Sequence, residues 1–337
     1  MNTTNNAKKI VFLGTGGTIA GTAATAGDNI GYTAAQVGIQ DLLATVPGLE
    51  GLDVVSEQVA QVDSKDMEFG IWAALLARVA HWLADDGVVG VVITHGTDTL
   101  EETAFFLQSV LQPRKPVVLT CAMRPATALA PDGPQNLLDA VAVVLAPHAL
   151  GVVGVCAGKI HSARDVQKVH PYRLDAFDSG DAGPVGYVEE GAVVLMRNWP
   201  QPQEERMQNA IYLIASGAPW PRVEIVMSHA GAGAALVDAL MVQPPAPAPP
   251  VRGLVVATTG NGTVHQALEV ALLRAQTRGV RVVRATRCTQ GRILPTAAST
   301  LPSAAGLTPV KARVAMVLAL MAPEAQATGN SVNFVMA

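Results

Sequence analysis

The chain has 337 residues, of which 50% are hydrophobic and 15% charged, and its formal net charge is −4. That length buries a substantial core in one large domain or two moderate ones, and the slightly acidic balance excludes electrostatic attraction to nucleic acid or to an acidic membrane surface. The longest apolar stretch, 140–156, is broken by Pro147 and His148 and reads as helix, turn and strand, which excludes a membrane span there.

The N-terminus, MNTTNNAKK, is polar and runs straight into an apolar strand pattern without the apolar core of a signal peptide. A cytoplasmic location is expected, or a periplasmic one if a leader had been trimmed away. Apolar, β-rich runs at 8–13, 53–62, 87–94, 116–121 and 151–156 predict strands, with helical patterns between them. The clearest helix lies over 66–84, where Phe69, Trp72, Leu75, Leu76, Val79, Trp82 and Leu83 recur at three- and four-residue steps. Continuously apolar strands such as GVVGVVIT, alternating with helices, predict a mostly parallel sheet covered on both faces.

Around 183–198 the pattern changes to two short strands, a hairpin about Glu189, Glu190 and Gly191. Polar sequence follows, read as a linker over 201–217. A second series then begins: a strand at RVEIVMSHA, a helix over 232–242, a strand at GLVVATTG, a helix over 264–278, a strand at VRVVRATR and a last helix over 308–321. PPAPAPP, 244–250, reads as a stiff surface connector within this half. The fold class is therefore α/β in two unequal domains: a larger one over 1–200 with a mostly parallel sheet and flanking helices, and a smaller α/β domain over 218–337.

Cys121, Cys156 and Cys288 are far apart and in no C-x-x-C spacing, so they read as reduced thiols and not as a disulfide frame or metal site. The seven histidines, at 81, 95, 148, 161, 170, 229 and 265, show no ligand spacing; neither a catalytic metal nor a cofactor is expected. His95 reads as a structural, hydrogen-bonding histidine. A G-x-S-x-G elbow is absent, which disfavours an α/β-hydrolase.

In parallel α/β sheets, ligands sit beyond the carboxyl ends of the strands, near the switch in strand order. Two loops rich in glycine and threonine occupy that position: GTGGTIAG (14–21) after the first strand and HGTDT (95–99) after the 87–94 strand. A dinucleotide fingerprint fits the first loop poorly, because Ile19 stands where the third glycine belongs and no clear helix follows. The glycines fit better as space that lets backbone amides and the Thr18 hydroxyl approach a small ligand.

Those two loops, with AMRP (122–125), DGPQNL (132–137), ARDVQKV (163–169) and GNGT (260–263) in order, resemble the bacterial-type asparaginase/glutaminase family. The resemblance covers essentially the whole chain. It implies hydrolysis of L-asparagine to L-aspartate and ammonia, with L-glutamine as a weaker substrate. A dual glutaminase-asparaginase is the alternative within that class, and a nucleotide-binding or non-catalytic regulatory protein the alternative outside it. The resemblance makes Thr18 the nucleophile and Tyr32 a tyrosine on a mobile lid over 22–38. Thr97, Asp98 and Lys168 would form a second catalytic set. Ser64 and Asp98 would anchor the substrate's α-carboxylate and α-amino groups, with Gly17, Gly96 and Ala122 also lining the substrate. It further implies a homo-oligomer, tetramer or dimer, with no nucleic-acid or membrane partner.

The residue types suit that chemistry. A threonine hydroxyl needs a neighbouring base to become a nucleophile, and an aspartate beside a lysine can orient it as the third member of a triad orients its base. Two departures from the family pattern stand out. The segment 288–307, where many relatives carry a carboxylate that reaches a neighbouring subunit's substrate, contains no Asp or Glu. Lys65 also follows Ser64 where several secreted relatives carry glutamine.

Overall fold

The computed structural model describes residues 9–202, 208–242, 245–297 and 299–321. They divide into two compact units, Met1–Arg206 and Met207–Ala337. Among the described residues no helix is long and apolar enough to cross a membrane.

The first unit is built on an eight-stranded sheet. Five strands run parallel: β1 (Lys9–Gly16), β2 (Asp53–Val62), β3 (Val88–Thr94), β4 (Pro116–Thr120) and β5 (Gly151–Cys156). Antiparallel to β5 lies β6 (Lys159–Ser162), and the hairpin β9 (Gly186–Glu189) and β10 (Ala192–Leu195) closes that edge. A separate ribbon pairs β7 (Gln167–Lys168) with β8 (Phe177–Asp178). The sheet order, β10-β9-β6-β5-β4-β3-β1-β2, reverses direction at β1, whose neighbours are β2 and β3. The loops that follow β1 and β3 therefore flank the switch point, where a parallel sheet leaves a crevice.

Ile10, Val11, Phe12 and Leu13 are all fully buried, because a central parallel strand is covered on both sides. Ile10 and Phe12 share one core cluster with Ile39 and Leu42 of α1 (Ile39–Ala44) and with Leu137, Ala140 and Val144 of α4 (Gly133–Leu145). Side chains alternate along a strand, so Val11 and Leu13 face the other side. Two further helices, α2 (Phe69–Leu83) and α3 (Leu100–Leu111), pack on one another, with Trp72 stacked on Phe106 at 4.8 Å and its indole N–H donating to the Thr103 hydroxyl at 2.9 Å.

In the second unit β11 (Arg222–Met227), β12 (Val251–Thr258) and β13 (Arg281–Thr286) form a parallel sheet in chain order, with α6 (Ala235–Leu240), α7 (Gln266–Thr277) and α8 (Pro309–Met321). Leu254, Val256, Leu268, Leu272 and Val282 fill its core. The stretch expected to be a linker over 201–217 instead carries a helix, α5 (Gln208–Ala215), which packs against α8. Its polar composition hid the buried positions Ala210 and Ile214. The expected helix over 232–242 is shortened to α6, since the glycines at 231 and 233 delay its start. Pro245 to Pro250 are exposed, as a surface connector requires; Pro244 lies outside the described residues.

Candidate active site

The glycine-rich loop begins while β1 is still paired. Gly16 and Gly17 hold positive φ, and a short 3₁₀ turn, Thr18–Ala20, follows. The turn is fastened at both ends: Gly17 N–H donates to the Val62 carbonyl at 2.9 Å and Gly21 N–H to the Thr18 carbonyl at 2.8 Å. Thr18 is thereby held nearly buried, 6% exposed, and its Oγ1 lies 2.7 Å from the Tyr32 hydroxyl. Tyr32 comes from the segment expected to be a lid. That segment is folded down: Thr22 and Thr33 pair antiparallel, Ala35 N–H donates to Gly17 O at 3.1 Å, and Gln36 N–H donates to Ala20 O at 2.7 Å.

The HGTDT loop meets this turn backbone to backbone. A Cβ placed on Gly17 would lie 2.3 Å from the Gly96 Cα, and one on Gly96 would lie 2.3 Å from the Ser64 Oγ. Glycine is thus needed at both positions, and the three segments that carry Thr18, Thr97 and Ser64 converge. Ser64 is buried at the start of a 3₁₀ turn whose cap is Asp63, not Ser64 itself. Freed from capping, the Ser64 hydroxyl accepts from the Asp98 N–H at 3.2 Å, and its carbonyl accepts from the Thr99 hydroxyl at 2.8 Å. Lys65 stays exposed and bonds its neighbour Asp66.

Lys168 reaches the same loop from the β7–β8 ribbon. Its Nζ donates to Thr97 Oγ1 at 2.8 Å and to Asp98 Oδ1 at 2.6 Å. The Lys168 side chain is 18% exposed and that of Asp98 50% exposed, so the pair opens to solvent on the carboxylate side. Because Lys168 is the donor to Thr97, that bond must reverse direction before the lysine can take a proton from the hydroxyl. Ala122 follows β4, 1% exposed, beside β3 and hence beside the HGTDT loop.

His95 supports this floor from below. It is fully buried; its Nδ1 lies 2.7 Å from the Gly96 carbonyl, and its own N–H donates to Thr120 O at 2.9 Å. A carbonyl only accepts, so the ring carries its proton on Nδ1. Burial, opposed by that bond, lowers the His95 pKa from 6.5 to about 4. The unfolded chain therefore takes up a proton below about pH 6.5 that the folded chain refuses until about pH 4. Stability is expected to fall as pH drops through that window, by at most about 1.4 kcal/mol per pH unit from this group. Urea midpoints between pH 7 and pH 4 measure it: a His95→Gln variant should show the smaller slope, and equal slopes would remove His95 as the cause.

Residues expected from the sequence thus fall into two contacting sets, Thr18 with Tyr32 and Thr97 with Lys168 and Asp98, with Ser64, Gly17 and Gly96 at the junction. Among the described residues no three His, Cys, Asp or Glu side chains group as metal ligands.

Comparison with known proteins yields consistent matches. Residues 9–201 match the family model for the asparaginase N-terminal domain, and residues 222–329 that for the glutaminase/asparaginase C-terminal domain. The chain is similar to L-asparaginase 2 of Bacillus subtilis, 37% identical over 317 residues, covering 92% of this chain and 82% of that protein. It is likewise 37% identical over 285 residues to a glutaminase-asparaginase of Pseudomonas fluorescens, covering 84% of this chain and 76% of that one. The crystal structure of a probable cytoplasmic L-asparaginase from Campylobacter jejuni superposes with a TM-score of 0.85 at 37% identity, covering 93% of this chain and 95% of that one.

Proposed function

Because the chain belongs to the asparaginase family, in its N-terminal and its C-terminal domain alike, we propose that it cleaves the side-chain amide of L-asparagine with Thr18 as the attacking group. It is an L-asparaginase, an amidohydrolase that releases L-aspartate and ammonia. The observation that carries the threonine mechanism is the 2.7 Å contact between Thr18 Oγ1 and the Tyr32 hydroxyl, on a turn that touches the Thr97–Lys168–Asp98 chain through Gly17 and Gly96.

In the first half-reaction Thr18 passes its proton to the Tyr32 oxygen as Tyr32 hands its own hydroxyl proton on to the amide nitrogen, and the Thr18 oxygen bonds the amide carbon. Backbone N–H groups of the two glycine-rich loops hold the resulting oxyanion. The C–N bond then breaks, the nitrogen leaves as ammonia with the proton handed on by Tyr32, and an aspartyl ester remains. Water attacks that ester in the second half-reaction, with Thr97 and Lys168 passing its proton and Thr18 regaining its hydroxyl. Asp98 keeps Lys168 aimed at Thr97, and with Ser64 it anchors the amino-acid end of the substrate.

We further propose homo-oligomeric assembly, as a tetramer or dimer, and residence in the cytoplasm. The cysteine pattern supports that location: Cys121, Cys156 and Cys288 are far apart along the chain and in no C-x-x-C spacing, as expected of thiols kept reduced. A domain division with its boundary within 201–217 is the matching proposal for the chain's organisation.

The glutaminase-asparaginase relatives favour L-glutamine as a second substrate. Glutamine is one methylene longer, a difference that a pocket reads at only about 10–200-fold. With the α-carboxylate and amino group held at Ser64 and Asp98, the longer chain must buckle to bring its carbonyl to Thr18. A kcat/KM at least about tenfold higher for asparagine is expected. Ammonia release from both amides measures it, and equal values would put the dual enzyme in its place.

A further inference from the structure

The segment after β4 carries Ala122, and a carboxylate lies directly behind it. Asp132 accepts from the Met123 N–H through Oδ2 at 2.9 Å and from the Arg124 N–H through Oδ1 at 3.0 Å. Asn136 adds a third tie: its Nδ2 donates to the Cys121 carbonyl at 2.9 Å and to Asp132 Oδ2 at 3.3 Å, while its Oδ1 accepts from Ala157 N–H at 2.9 Å. Asp132 occupies the N-cap position of α4, yet its side chain makes no capping bond to that helix. An aspartate at that position ordinarily spends its oxygens on the helix's own N–H groups. Here both oxygens go to the loop.

These bonds fix the two peptide planes on either side of Ala122. In a trans peptide the carbonyl and the N–H point in opposite directions. The Met123 N–H points at Asp132, so the Ala122 carbonyl points away from it. The Cys121 carbonyl points at Asn136, so the Ala122 N–H points away from that side chain. Among the described residues neither the Ala122 N–H nor its carbonyl has a protein hydrogen-bond partner, although the residue is 1% exposed. Buried backbone groups are rarely left without a partner. The loop also lies against the Thr18 turn: Ala126 N–H donates to Gly21 O at 2.9 Å, and a Cβ on Gly133 would lie 2.9 Å from Ile19 Cγ1 and 3.6 Å from the Ala122 Cβ.

We propose that Asp132 is a positioning residue that aims the Ala122 carbonyl at the amide nitrogen of the substrate, and thereby makes the site favour an amide over a carboxylate. The proposal rests on the asparaginase reading, with Thr18 attacking the adjacent carbon. An amide NH₂ donates to a carbonyl, whereas both oxygens of a carboxylate are repelled by it. The product, L-aspartate, would then be held less firmly than L-asparagine at this one contact. An ester leaving group brings no N–H and gains nothing from the carbonyl.

The test is the Asp132→Asn variant, which keeps the side chain's size but offers one acceptor and turns an NH₂ toward the second loop N–H. Hydrolysis of L-asparagine is expected to lose kcat by about 10- to 100-fold, the cost of a misaimed contact at the reacting atoms. Hydrolysis of L-aspartate β-methyl ester should change by less than about threefold and inhibition by L-aspartate should hold or tighten, shifting the amide-to-ester ratio about tenfold or more. An equal loss on amide and ester, or unchanged rates on both, would overturn the proposal. If melting shows that this variant does not fold, Asp132→Ser, which keeps one acceptor in less volume, is read by the same ratio. Thr18→Ala separates the two levels: amide hydrolysis surviving there removes the underlying reading, whereas its loss beside an unchanged Asp132→Asn ratio removes only the role of Asp132.

Discussion

Thr18→Ala and Lys168→Met are each expected to lower the turnover of L-asparagine by roughly 10³-fold or more. Alanine at 18 removes the side-chain oxygen that meets the Tyr32 hydroxyl at 2.7 Å, and leaves no atom to carry the acyl group. Methionine at 168 keeps the length of the side chain but removes the ammonium that bonds Thr97 at 2.8 Å and Asp98 at 2.6 Å. Thr97 then loses its bonded cation, and the Asp98 carboxylate stands uncompensated. Without Thr18 no acyl group reaches the half-reaction that Lys168 serves, so their losses should not add; the double variant should be little worse than either single one. Ammonia release at saturating asparagine measures kcat directly. A rate near wild type in either single variant would strip that residue of its role.

Gly17→Ala is expected to cost about 10²-fold in rate and to destabilise the fold as well. The residue sits at φ 82°, ψ −172°, a conformation open to glycine and strained for alanine by about 1–3 kcal/mol. The added methyl would also fall 2.3 Å from the Gly96 Cα, 2.4 Å from its nitrogen and 2.8 Å from the His95 carbonyl carbon. All three are backbone atoms, so no side chain can swing aside. The two loops would have to part, and with them Thr18 and Thr97. Melting is expected to fall by about 2–10 °C on this size of domain. Gly27→Ala is the control within the same unit, because nothing lies within 4 Å of its Cβ; its melting point and rate should be unchanged. Wild-type behaviour in Gly17→Ala would mean that the loops do not need this approach.

Asp132 shows where reading the chain alone stops. DGPQN is visible in the sequence, but an aspartate before Gly-Pro at a helix start reads locally as a cap. Its two oxygens go instead to Met123 and Arg124, nine and eight residues upstream, on a loop that β4 places there. Likewise Asp63 takes the cap of the turn that Ser64 begins, and the Ser64 hydroxyl is left to accept from the Asp98 N–H. The helix at 208–215 escaped notice for a related reason: its buried positions are few, and the neighbour that covers them, α8, is about a hundred residues away.

By itself the sequence determined the α/β class, the parallel strands and the two glycine- and threonine-rich loops. Strand periodicity and glycine placement are local records of burial and backbone freedom, legible from a few neighbouring residues. The family motifs added the identities of Thr18, Tyr32, Thr97, Asp98 and Lys168. Only the tertiary structure decided which of these touch. Lys168 lies 71 residues from Thr97 and 70 from Asp98 along the chain, and it reaches both from a two-residue strand too short to leave any periodic signal. The sheet order brings the ends of β1 and β3 side by side, and their loops then approach as far as two facing glycines permit. No local pattern encodes that distance, because it is set by which strands pair and by how closely two backbones can lie when neither carries a side chain.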